Sequence, residues 1–227
     1  MRLIGMNLSA RRRAILALFL LLSHVVCAQN TDEVTHFSFP ARCGDRMVQM
    51  EATVEFSHRY GGWGVRIGNQ HTKVACIPTE TSGHVYLPDS LDVPDGRRLA
   101  VKWTADGAFQ DCVHITGVRL PKPLVFLSVS TFRGCTSLRE IVIPAGTSYI
   151  YPYAFAGCDN LRRIRFLPMR APASYVEQDF SDRYKRICTL VYDARAFNSY
   201  SRSLLTAGFH YHAEILPMWG DTLTTSR

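Results

Sequence analysis

Phe109, Phe132 and Phe155 stand 23 residues apart, and so do Cys112, Cys135 and Cys158. The same step links Ile115 to Leu138 and Leu161, Val118 to Ile141 and Ile164, and Leu120 to Ile143 and Phe166. Apolar columns held in register over three copies exclude a lone amphipathic helix, whose period is about 3.6 residues. A repeat of this length cannot bury its apolar face alone, so copies must stack into a coil with a continuous core. Each copy reads Phe-x-x-Cys-x-x-Leu-x-x-Ile-x-Ile, with Pro121 and Pro144 directly after two of them. The closing segment predicts a short strand. Ile141 and Ile143 point inward by alternation, while Glu140 and Val142 face out. Proline then ends the strand because it has no N–H for the ladder. The Phe column packs from the opposite wall of the coil.

This pattern resembles the leucine-rich repeat, one strand and one turn-rich return per coil. Val129–Ile150 (VSTFRGCTSLREIVIPAGTSYI) and Ile150–Pro168 (IYPYAFAGCDNLRRIRFLP) are similar to the BspA-like leucine-rich-repeat family of bacterial surface proteins. The family pattern is Ile, a few residues, Ala-Phe, two, Cys, two, Leu, two, Ile, one, Ile-Pro. The first copy, Trp103–Leu127, departs from it with Thr104 in the place of the Ile, and the third with Leu167 before Pro168. The resemblance implies a β-rich solenoid of about three 23-residue repeats, with a β-rich N-terminal cap and a strand-helix-strand C-terminal cap.

The rest of the chain divides around these coils. Residues 1–28 read as a secretory signal peptide: Arg2 and Arg11-Arg12-Arg13, an apolar run Ala14–Leu22 too short to span a bilayer, then Val26-Cys27-Ala28. Cys27 as a lipid-anchored residue is the weaker reading, since Ser23-His24-Val25-Val26 does not fit the usual bacterial lipoprotein site. Residues 29–100 form the cap, where Val48, Met50, Ala52, Val54 and Phe56 alternate with polar residues as a half-buried strand does. Val65–Ile67 and Val74–Ile77 suggest two more strands, and Pro94-Asp95-Gly96 turns a hairpin into Leu99, Val101 and Trp103. Residues 101–170 hold the repeats. Residues 171–217 form the closing cap: strand Cys188–Tyr192, a helix from Ala194 to Thr206 capped by Asp193 and ended by Gly208, and strand His210–Ile215. The tail 218–227 is polar.

Charge does not point to nucleic acid. Four of the 26 basic residues and none of the 19 acidic ones fall in residues 1–28, leaving 22 against 19 and a net +3 for the remainder. After signal removal no transmembrane segment is expected. The repeat cysteines could be read as a metal or thiol cluster, but stacked coils send side chains out in parallel. Zinc wants four converging ligands and a disulfide wants a specific geometry, so buried free thiols are expected for Cys112, Cys135 and Cys158. Cys43 and Cys76 are either a disulfide pair, as suits an exported protein, or buried like Cys188. His210 and His212 share a strand face without a third ligand. The chain carries no Gly-x-Ser-x-Gly elbow, His-Glu-x-x-His, phosphate loop or dinucleotide fingerprint, so neither an enzyme nor a cofactor or metal site is expected.

Binding is the function that remains. Stacking the coils brings Gly117, Glu140 and Arg163 into one outward row, and Arg119, Val142 and Arg165 into the next. Leucine-rich repeats commonly bind on this concave sheet, so Arg119, Glu140, Val142, Arg163 and Arg165 are the candidate ligand residues, with Arg162 alongside. Arginines there suit an acidic protein patch, a sulfated glycan or an anionic lipid headgroup; the competing reading is a solvated face whose charges block sheet aggregation. Trp63, amid glycines, either stacks on a sugar or covers a core edge. The resemblance implies an exported, non-catalytic adhesin for a protein or glycan, located in the periplasm, at the cell surface or outside. A structural envelope scaffold is the alternative.

Overall fold

The computed structural model describes residues 35–72, 74–174, 188–204 and 210–214, within a compact unit that begins at Thr35. The expected signal peptide with Cys27, Gly208 and the tail 218–227 lie outside the described residues. The fourteen strands among the described residues make one sheet.

Two parallel ladders build the solenoid. The first stacks β4 (Gly83–Tyr86), β7 (Ile115–Arg119), β9 (Glu140–Ile143), β11 (Arg163–Phe166), β13 (Thr189–Asp193) and β14 (His210–Glu214). The expected strands of the repeat are β7, β9 and β11, and their inward residues Ile141, Ile143, Ile164 and Phe166 are all buried. The ladder adds a rung before them and two after. The second ladder stacks β6 (Arg98–Thr104), β8 (Phe126–Leu127), β10 (Tyr149–Ile150) and β12 (Ala173–Ser174). Its residues Trp103, Phe126, Tyr149 and Ala173 are register partners from coil to coil.

An antiparallel meander joins the two ladders at one end. β1 (Thr35–Cys43) pairs with β4, β2 (Arg46–Ser57) pairs with β1, and β3 (Gly62–Ile67) pairs with β2 and runs parallel to β6. Gly44, at φ +57°, supplies the left-handed residue in the two-residue turn between β1 and β2. Met50, Ala52 and Val54 of β2 enter the core as the alternation requires. The cap is therefore continuous with the coils, and its edge groups find partners that an open solenoid end would lack. The hairpin ahead of the first repeat is β5 (Ser90–Asp92) against β6.

Val74–Ile77, expected as a strand, forms none. Its backbone spans between elements instead: the Cys76 N–H donates to the Ala108 carbonyl at 2.7 Å, and the Cys76 carbonyl accepts from Glu51 N–H at 2.9 Å. Pro78 and the bend before it prevent a ladder from extending.

The columns fill the core. Phe109, Phe132 and Phe155 stack face to face, with centroids 5.3 and 5.7 Å apart and planes within 13° and 10°. All three are buried. Two of the three repeat cysteines reach the preceding coil: Cys135 and Cys158 thiols donate to the carbonyls of Phe109 and Phe132, both at 3.0 Å. Cys43, Cys76, Cys112, Cys135, Cys158 and Cys188 are all buried free thiols, so the pairing of Cys43 with Cys76 is not formed. Thr104, where the repeat pattern has Ile, is buried against Thr131 of the next coil with hydroxyls 3.0 Å apart, and it accepts from Ser128 N–H at 2.9 Å. A polar side chain fits that position because its hydrogen bonds are met in place.

At the other end, Asp193 accepts from Arg195 N–H at 2.9 Å and opens a 3-10 turn, Ala194–Ala196, that leads into α1 (Phe197–Leu204). Tyr200 of α1 stacks on Tyr192 at 4.8 Å and donates its hydroxyl to the Pro168 carbonyl at 2.8 Å. The helix thus closes the core over β13. Residues 205 and 206, expected to extend it, lie outside the described residues.

Candidate functional site

The outer face of the first ladder carries two rows of side chains. Register places His84 beside Gly117, Gly117 beside Glu140, Glu140 beside Arg163, and Arg163 beside Thr189. In the second row Tyr86 pairs with Arg119, and Arg165 lies between Val142 and Val191. The first row opens onto a cleft.

That cleft holds about 820 Å³ and is lined by His84, Thr116, Gly117, Arg139, Glu140, Arg162, Arg163 and Thr189. A smaller hollow of about 340 Å³ continues it, sharing Thr116, Arg139 and Arg162 and adding Ser137 and Asn160. Thr116, Arg139 and Arg162 are equivalent residues of successive coils; Arg139 and Arg162 stand just before β9 and β11, and Thr116 is the second residue of β7. Strict alternation would turn Arg139 away from Glu140. The chain is still turning there, however, because the Arg139 carbonyl accepts from both Arg162 N–H (2.7 Å) and Arg163 N–H (3.3 Å). Both side chains of each Arg-Glu or Arg-Arg pair are consequently exposed.

Electrostatics set the cleft apart from the neighbouring row. Arg119 is already engaged, donating to the Leu87 carbonyl at 2.7 Å and pairing with Asp89 at 3.3 Å. The Arg42 guanidinium lies 3.9 Å above the Tyr86 ring. Within the cleft, the Arg139 and Arg163 side chains form no hydrogen bond or ion pair among the described residues, and Arg162 bonds its own turn through the Asp159 carbonyl at 3.0 Å. Glu140 is the single acid. Burial pushes the His84 imidazole below its ordinary value, Glu140 opposes that shift, and Arg42 adds to it. Gly117 makes room for this ring: a Cβ there would lie 2.4 Å from His84 Nδ1.

Of the five candidate residues, the structure brings Glu140 and Arg163 into the cleft and leaves Arg119, Val142 and Arg165 in the adjacent row. Arg139 was legible in principle, since it lies one repeat after Thr116 and one before Arg162. His84 was not, because its coil differs in length from the repeat. Trp63 is elsewhere, part-exposed against Phe56 (5.3 Å), with the Arg97 guanidinium 4.5 Å over its ring. Among the described residues, no group of three or more His, Cys, Asp or Glu could hold a metal ion. No helix among them is long and apolar enough to cross a membrane.

Residues 100–177 match the model of the BspA type leucine rich repeat region, in six copies. No curated protein matches the chain. A crystal structure of a leucine-rich repeat protein from Bacteroides ovatus is similar at 20% identity, over 75% of this chain and 41% of that one, with a TM-score of 0.45. This chain spans less than half of that protein's length.

Proposed function

We propose that this protein, whose residues 100–177 match a BspA type leucine rich repeat region, is an exported, non-catalytic binding module that uses the outer face of its long ladder to attach to a protein or glycan. The observation that carries this reading is the cleft of about 820 Å³ centred on Glu140 and Arg163. Repeat solenoids use the surface that successive coils share as their binding face, because equivalent positions there multiply one interaction. Export rests on the signal-like residues 1–28, and adhesion is the role that follows from attachment outside the cell.

A steric block tests the site without altering charge. Thr116 is exposed on the cleft wall, so Thr116→Trp fills space while leaving the core columns alone. Purified wild type is expected to attach to immobilised cell-surface glycoproteins and glycans, and Thr116→Trp to lose that attachment with its melting temperature unchanged. Full attachment by a folded Thr116→Trp protein moves the binding face elsewhere.

A further inference from the structure

The cleft's chemistry narrows its occupant. Its walls offer three guanidinium groups, one carboxylate, two threonine hydroxyls and, at one end, an imidazole, with no aliphatic, Phe, Tyr or Trp side chain. The adjoining hollow adds Ser137 and Asn160. Arg139 and Arg162 occupy equivalent places on neighbouring coils, so their backbones stand one strand spacing apart, about 4.8 Å. Like charges stacked at that spacing repel. The nearest acid in the cleft, Glu140, forms no hydrogen bond or ion pair with them. An anion brought between them removes that cost and gains charge-assisted hydrogen bonds.

Three observations separate the classes of polyanion. A protein interface needs buried aromatic or apolar anchors near its centre, and these walls have none. A nucleic acid strand is held on successive aromatic platforms for its bases, and the lining offers just the His84 ring at one end of the row. Glu140 sits between Gly117 and Arg163 in the middle of the row, where a ligand bearing only anions meets repulsion. A sugar chain resolves that conflict: its hydroxyls donate to Glu140 and exchange hydrogen bonds with Thr116, Thr189 and Asn160, while its acidic groups face the arginines. The row from His84 to Thr189 crosses four strand spacings, roughly 19 Å. That length fits an extended chain rather than one small ion.

On the reading that this cleft is the attachment site, we infer that it binds an acidic polysaccharide, with Arg139, Arg162 and Arg163 holding its carboxylate or sulfate groups and Glu140 accepting from its hydroxyls.

The experiment measures binding of full-length protein to polygalacturonate (carboxylated), heparin (sulfated), dextran (neutral) and poly-L-glutamate (an acidic peptide) by calorimetry. Wild type is expected to bind polygalacturonate or heparin, whichever acid matches, and to weaken as salt rises. Dextran should not bind. Arg139→Ser, Arg162→Ser and Arg163→Ser should each weaken binding about tenfold or more, the factor one hydrogen bond to a charged group carries. Glu140→Ala gives the sharpest contrast. Removing an acid strengthens binding to any bare polyanion, so poly-L-glutamate should gain affinity while the acidic polysaccharide loses it several-fold. Affinity for the polysaccharide that rises with Glu140→Ala, or poly-L-glutamate held as tightly as either polysaccharide, overturns the inference. So does an absence of binding to both acidic polysaccharides. If Thr116→Trp still abolishes attachment to cell-surface material in that case, the attachment site stands and only its ligand class has failed.

Discussion

A single ring shows how the repeat holds itself together. Phe132 lies between Phe109 and Phe155, stacked on both and fully buried. Its carbonyl accepts from the Cys135 N–H of its own turn at 3.1 Å and from the Cys158 thiol of the next coil at 3.0 Å. Phe132→Ala therefore empties a space walled above and below by rings that cannot collapse into it without breaking those bonds. The expected cost is about 3–5 kcal/mol, as for other buried Phe truncations. Against an ordinary domain stability of about 5–15 kcal/mol, that should appear as a large shift in the urea midpoint. A midpoint within error of wild type would mean that the stack contributes nothing to stability. Gly117 illustrates the opposite use of a position: its missing Cβ admits the His84 ring to the cleft.

At the scale of elements, alternation and spacing were enough for β2 and the repeat strands, whereas β1 and β4 were not read from the sequence. β2, β7, β9 and β11 are read directly from Met50, Val118, Ile141 and Ile164 with their neighbours. The second ladder was harder to see, since β8, β10 and β12 have two residues each and alternation over two residues carries no signal. Phe126 and Tyr149 do keep the repeat spacing, but their column reads as loop aromatics until the coils are stacked. In the site, Glu140 and Arg163 followed from strand alternation, whereas Arg139 was visible through its repeat spacing to Thr116 and Arg162 alone, because alternation turns it inward and the chain still turning before β9 exposes it. The Asp193 cap was legible as an Asp before a helical segment, and it makes a testable contribution. The Arg195 side chain, then its backbone N–H, holds the Asp193 carboxyl down at about 2. An unfolded Asp titrates near 3.9, so the cap's contribution is complete above that pH and disappears as pH falls toward 2. Thermal melts of wild type and Asp193→Ala should thus differ at pH 6 and converge at pH 2. A difference that persists unchanged at pH 2 would show that the carboxylate charge is not what stabilises the turn.

For the whole molecule, the question is how cooperatively a short solenoid unfolds. Stacked repeats contact mainly their neighbours, so ends can open before the middle. Here the meander β1–β2–β3 ties both ladders together at one end, while β13 and α1 close the described core at the other. The six buried cysteines report on this from within, spread from Cys43 in the cap to Cys188 beside β13. Burial pushes every thiol for which a shift is seen upward, Cys112 and Cys188 to about 12. In the folded state the thiolate needed for alkylation is therefore scarce as well as shielded. Labelling should proceed only through opening, at a rate set by the opening free energy of each region. Iodoacetamide labelling across a urea series, resolved by mass spectrometry, is expected to show Cys43, Cys76 and Cys112 modified together, since Cys76 lies near both of the others. Cys135 and Cys158, held between coils by their Phe carbonyls, should follow the global unfolding curve. Cys188 should label first, because it leads into β13 at the end of the ladder away from the β1–β2–β3 meander. Native-state modification of Cys135 at the rate of a free thiol would contradict the stacked core, and Cys43 labelling well ahead of Cys112 would show that the cap opens independently of the first coil.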